Sequence, residues 1–209
     1  MNEFLAEWLL LIIVHGAALI SPGPDFVMAV KNSVLYSRKT GILNALGFSV
    51  AVAVHLTYCL IGLAAIISQS IVIYSMIKYA GAAYLIYIGI KSLRSKGFKG
   101  ATETHQTRQT LSNWAAFRGG FITNLLNPKA AIYFLALFTQ IIAPDTPSEI
   151  LALYSATCTL LTFAWFSGVA TILTHAKIQT PFLMASQWVE RICGTLLIAL
   201  GLKLILDKK

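Results

Sequence analysis

Long apolar runs separated by short polar stretches make up most of this chain. The first run extends from Trp8 to Val30 and is interrupted by Pro22, Gly23, Pro24 and Asp25. The second covers Ile42 to Ile67 and the third Ile71 to Ile90. A polar, basic stretch from Lys91 to Asn113 follows, the only sizeable hydrophilic segment. The fourth run, Phe117 to Ile142, is interrupted by Asn124, Asn127, Pro128 and Lys129, and the fifth covers Ile150 to Leu173. The last, Ile192 to Leu206, is short for a bilayer unless it begins nearer Trp188. An apolar run of about 18 residues or more, with few charges, suffices to span a membrane as a helix. A buried soluble helix accounts for one such run, but not for six. The pattern predicts an all-α membrane protein of about six transmembrane helices, with spans one and four broken at PGP and NP motifs.

Composition agrees with that pattern. Of 209 residues, 57% are hydrophobic and 11% charged, whereas a soluble domain charges about a quarter of its residues to coat its surface. The net charge of +8 does not point to nucleic acid, because the basic residues cluster in short segments between runs, where they act as topology determinants. Lys31, Arg38 and Lys39 follow span one, and Lys91, Arg94, Lys96, Lys99, Arg108 and Arg118 follow or flank the loop after span three. Lys177 and Arg191 follow span five. The segment between spans four and five carries Asp145 and Glu149 with no basic residue. The basic side is the cytoplasmic one, which puts both termini in the periplasm; the Lys208–Lys209 tail dissents. Glu3 and Glu7 precede the first run where a secretory signal would be basic, so that run reads as a retained span. Cys59, Cys158 and Cys193 lie within apolar runs without CxxC spacing and read as buried small hydrophobes. No metal site and no cofactor is expected.

The runs also carry a weak internal repeat. Gly16 stands eight residues before Pro24, as Gly120 does before Pro128, which places Asp25 over Lys129. Leu60-Ile61-Gly62-Leu63-Ala64 aligns with Phe166-Ser167-Gly168-Val169-Ala170, and Gly89-Ile90-Lys91 with Gly201-Leu202-Lys203. The offsets are 104, 106 and 112 residues, rising in chain order as small insertions between two copies would produce. Two three-span halves must run in opposite directions, the inverted-repeat plan of many secondary transporters, in which paired interrupted helices mark the binding site. The expected organisation is a single transmembrane transporter domain over 1–209. Repeat one covers about 4–95 and repeat two about 117–207, joined by a cytoplasmic loop at about 94–116.

The interruptions carry the chemistry. Proline removes a backbone donor and clashes with the preceding turn, and backbone groups released this way persist at membrane depth only within protein or beside a water-filled cavity. Pro22, Gly23, Pro24 and Pro128 form the broken-helix motif. Asp25 and Lys129 are ionisable groups inside spans, costly and usually retained for function. Together with Asn124 and Asn127 they suit a zwitterionic solute, a carboxylate for its ammonium and a cation for its carboxylate. A structural ion pair stapling the halves, or snorkelling to opposite interfaces, explains the two charges as well, and for Lys129 the readings are evenly balanced. His55, midway along span two, suits a proton relay, although an interhelical hydrogen bond accounts for it more simply. His15 reads as packing, and Gly16, Gly47, Gly81, Gly89 and Gly194 as sites of close helix approach. Trp8, Trp114 and Trp188 read as interface anchors.

The stretches SPGPDFVMAVKNSVLYSRKTG (21–41), YAGAAYLIYIGIKSLRS (79–95) and FRGGFITNLLNPKAAIYFLALFTQ (117–140) resemble the lysine exporter (LysE/RhtB) family of amino-acid efflux proteins. The likeness runs from about residue 8 to 206, and the motifs look more like the homoserine/threonine branch. The resemblance implies a multi-pass protein of the bacterial inner membrane that exports amino acids or close derivatives against proton influx. It carries the family motif onto Pro22, Gly23, Pro24, Asp25, Asn124, Asn127, Pro128 and Lys129. The implied partners are a small amino-acid substrate, protons and membrane lipids, with small-residue faces on spans three and six that permit a homodimer. Competing readings are an exporter of basic amino acids or other metabolites, a non-transporting scaffold, and an intramembrane enzyme. The scaffold leaves the paired prolines unexplained, and the enzyme lacks a GxSxG, HExxH or close cysteine pair.

Overall fold

The computed structural model of this chain describes residues 2–21, 23–69, 71–95, 111–142, 146–174 and 176–206. Pro22, His105, His175, Asp145, the Lys208–Lys209 tail and most of the basic loop, with Lys96, Lys99 and Arg108, lie outside them. The described residues form eight helices and no strand. They are α1 (Asn2–Ile20), α2 (Pro24–Leu35), α3 (Arg38–Gln69), α4 (Ile71–Leu93), α5 (Asn113–Leu125), α6 (Pro128–Ile141), α7 (Ser148–Leu173) and α8 (Ala176–Leu206). Each apolar run of the sequence thus forms one helix, except the first and fourth, which form two each.

Those two divisions have the same local cause. Pro24 and Pro128 occupy the first positions of α2 and α6, where proline's fixed φ suits a helix start and its missing N–H is no loss. The chain bends by 64° between α1 and α2 and by 58° between α5 and α6. Among the described residues, α3 over Arg38–Gly62 and α7 are each long and apolar enough to cross a membrane, and counting each bent pair as one span brings the number to four. The sixth helix of the sequence reading is longer than its apolar run. α8 starts at Ala176, with Pro181 inside it, because a helix continues past the bilayer edge wherever its polar residues are hydrated. Lys31, read as a loop residue, belongs to α2.

Close backbone approaches hold the bundle together at glycines. A β-carbon on Gly47 would overlap the carbonyl oxygen of Phe117, and one on Gly120 that of Asn44, so α3 and α5 touch backbone to backbone. Asn44 reinforces the contact by donating to the Ala116 carbonyl at 2.5 Å while accepting from Asn32 of α2 at 2.8 Å. α4 and α8 meet in the same way, since a β-carbon on Gly89 would lie 2.6 Å from the Gly194 carbonyl and one on Gly201 2.8 Å from that of Ala82. Gly81 faces Ala136 of α6. Gly16 is different: among the described residues a β-carbon there would meet nothing within 4 Å, so no close helix approach of the kind expected is made at it.

A large apolar cluster joins α1, α3, α4, α6, α7 and α8 around Leu11, Leu56, Leu85, Leu137, Tyr154 and Leu197. A smaller one, with Phe26, Phe48, Phe166 and Leu173, packs α2 on α3 and α7. Outside these clusters large apolar side chains face outward, among them Ile61, Met76 and Leu160, each about two-thirds exposed. Apolar surface so widespread is stable against lipid tails rather than water. Trp114 and Trp188 are exposed, the latter with Arg191 stacked 5.5 Å from its ring. Trp8 is half-buried, and its Nε1 donates to Thr157 Oγ1 of α7 at 3.0 Å.

Candidate functional site

The two helix breaks face each other across one cavity of about 50 Å³. Room of that size holds roughly four waters or the polar head of a small solute. Gly23, Asp25, Asn124, Asn127 and Lys129 all line it. Asp25 enters from the first turn of α2, whose N-cap Gly23 is extended and supplies no side-chain cap. Lys129 enters from the first turn of α6, capped by Asn127, whose Oδ1 accepts from the Lys129 backbone N–H at 3.0 Å.

Each charged residue reaches into the opposite break. Asp25 Oδ2 accepts from Asn124 Nδ2 at 2.9 Å and from Asn127 Nδ2 at 3.0 Å. Lys129 Nζ donates to the Ser21 carbonyl at 2.9 Å, its side chain passing over Gly23, where a β-carbon would stand 3.3 Å from Nζ. Ser21 in turn shares a 2.7 Å hydrogen bond with Ser92 of α4. Two oxygens at this crossing, Asp25 Oδ1 and Asn124 Oδ1, have no hydrogen-bond partner among the described residues. Buried acceptors rarely stay unpaired.

His55 is placed one step away. Its Nε2 meets the Asn124 backbone carbonyl at 3.0 Å. A carbonyl only accepts, so Nε2 carries the hydrogen and Nδ1 accepts from the Tyr58 hydroxyl. His55 therefore holds the end of α5, and with it Asn124, and does not line the cavity.

The other side of the cavity was not anticipated from the sequence. His15, Tyr133, Phe134, Phe26 and Phe166 line it, and His15 there bonds Tyr133 Oη at 3.3 Å, Thr162 Oγ1 at 3.0 Å and the Cys158 carbonyl at 3.1 Å. Single histidines and tyrosines within apolar runs read as packing. The usable signal was Tyr133 standing four residues after Lys129, on the same helix face. Glu190, buried on α8, was also missed.

Comparison with known proteins places this arrangement in context. The family model described as LysE type translocator matches residues 17–208. A threonine efflux protein of Salmonella typhi is 31% identical over 199 residues, covering 94% of this chain and 96% of that one. The threonine efflux protein of Escherichia coli K12 is 30% identical over 205 residues, 98% of this chain and all of the relative. A homoserine/homoserine lactone efflux protein of Salmonella typhimurium is 28% identical over 180 residues, 86% of this chain and 80% of the other. No solved structure is a significant match.

Proposed function

Because this chain belongs to the LysE family of translocators, we propose that it exports small neutral amino acids, of the threonine and homoserine kind, from the cytoplasm. The observation that carries the reading is the cavity between the two breaks, with one carboxylate, one ammonium and two amides in its wall. The solute's ammonium takes the unpartnered oxygens of Asp25 and Asn124, and its carboxylate takes Lys129. Asn127 and Asn124 fix the Asp25 carboxylate, while His55 positions Asn124 from behind. Gly23, Pro24 and Pro128 keep both half-helices open to the site. Efflux is coupled to proton influx, with Asp25 the group that alternates between a proton and the solute's ammonium. The names of the relatives, threonine efflux protein and homoserine/homoserine lactone efflux protein, support the substrate class.

The transport unit is a single domain of six spans, α1–α2, α3, α4, α5–α6, α7 and α8, in two inverted halves. Packing supports this beyond the bent pairs. The sequence register pairs Gly89 with Gly201, an offset of 112 that also pairs Ala82 with Gly194. A twofold relation then turns the contact of Gly89 with Gly194 into one of Gly201 with Ala82, and both contacts are present at nearly equal separation. The basic segments put both termini in the periplasm and the loop of about 94–116 in the cytoplasm of a bacterial inner membrane; cysteine labelling from either side reads this orientation directly.

The test uses purified protein in vesicles loaded with a mixture of labelled amino acids under an imposed proton gradient. Threonine, homoserine or another neutral amino acid is expected to leave selectively, and Asp25→Asn to abolish the gradient-dependent loss. Full proton-coupled export by Asp25→Asn removes Asp25 from the mechanism. Folded protein that moves no amino acid overturns the function.

A further inference from the structure

We infer that Tyr133, aligned by His15, accepts a hydrogen bond from the side-chain hydroxyl of the transported amino acid and so sets its preference for hydroxylated over apolar side chains. The inference rests on the amino-acid reading above and names the part of the cavity that distinguishes one solute from another.

The direction of every hydrogen bond in this corner follows from its partners. Thr162 donates its hydroxyl hydrogen to the Cys158 carbonyl at 2.8 Å. His15 Nε2 faces that same carbonyl and the Thr162 oxygen, two groups that can only accept from it, so Nε2 carries a hydrogen. All three partners of the ring are uncharged, and the ring packs against Phe134 with centroids 5.5 Å apart. A neutral imidazole belongs there. Its Nδ1 is then an acceptor, and the Tyr133 hydroxyl must donate to it. With that hydrogen committed, the Tyr133 oxygen has only lone pairs left to offer the cavity that both residues line. A hydroxyl satisfies them, whereas a methyl group strands them.

Position agrees with chemistry. Lys129 and Tyr133 are four residues apart on α6, about 6 Å along the helix axis. A solute whose carboxylate sits at Lys129 and ammonium at Asp25 extends its side chain over Ala130 toward Tyr133. The walls on that path, Phe26, Val52, Phe134 and Phe166, are apolar, so no other group on them competes for the hydroxyl. His15 does not touch the solute in this arrangement; it is a positioning residue that locks the tyrosine's hydrogen away.

Threonine and valine test this directly, being nearly the same size and differing in a hydroxyl against a methyl. Vesicles of the unaltered protein, loaded with both, should lose threonine at least tenfold faster. Tyr133→Phe should cut the threonine-to-valine ratio about tenfold, the worth of one hydrogen bond, while valine and alanine efflux continue. His15→Leu should raise the KM for threonine several-fold more than the KM for valine, a split that a general packing defect would not produce. An unchanged ratio in Tyr133→Phe, or equal export of threonine and valine by the unaltered protein, overturns the inference and leaves amino-acid export standing. If Tyr133→Phe is inactive toward every solute, the comparison in the unaltered protein decides alone. If the unaltered protein exports none of the three, the functional reading falls, and this inference with it.

Discussion

Asn127 does two jobs with one amide, and they can be separated. Its oxygen caps α6 and its nitrogen donates to Asp25. Asn127→Ala loses both, so thermal unfolding in detergent should show a destabilisation of about 1 kcal/mol, as for other N-caps, together with impaired efflux. Asn127→Asp keeps an oxygen at the cap but sets a second carboxylate beside the first. Its stability should stay near that of the unaltered protein while efflux is lost; efflux retained by the aspartate variant would mean that the donor to Asp25 is dispensable. The polar members of this site were legible in the sequence because charge and amide groups inside an apolar run have no cheap structural explanation. His15 and Tyr133 were not, since an aromatic or imidazole ring among leucines has many. What distinguishes them is the partner each meets from a distant helix, and that appears only in the folded chain.

At the level of helices, the glycines divide into two groups that the sequence does not tell apart. Gly47 and Gly120 let the backbones of α3 and α5 touch, so alanine at either position forces the helices apart. A β-carbon on Gly62 or Gly168 would meet nothing within 4 Å among the described residues, although the sequence register aligns the two. Gly47→Ala and Gly120→Ala should each lower the yield of folded protein and destabilise it by about 2 kcal/mol or more, as overpacking does. Gly62→Ala and Gly168→Ala should be neutral or stabilising by about 0.5–1 kcal/mol, the helix preference of alanine. Melting temperatures of the four variants check both halves of the statement. The breaks in spans one and four were readable because proline acts through covalent geometry, which is local. The reach of α8 back to Ala176 was not, because an apolar-run criterion finds the part of a helix that lipid surrounds and not its hydrated end.

For the molecule as a whole, the sequence carried the all-helical class and the two interruptions that divide its first and fourth runs at Pro24 and Pro128. Relative placement was beyond it, because matches at three offsets say which segments correspond and not which way they face. The crossing of Asp25 into the second break and Lys129 into the first has a consequence for descent and assembly. On the two-half reading, these residues occupy equivalent positions with opposite charge. Two copies of the first half would bring carboxylate against carboxylate, and two copies of the second ammonium against ammonium. On that reading the halves are obligate complements, and neither substitutes for the other. Separately encoded segments 1–100 and 101–209 should restore export when made together, and a doubled dose of either should not.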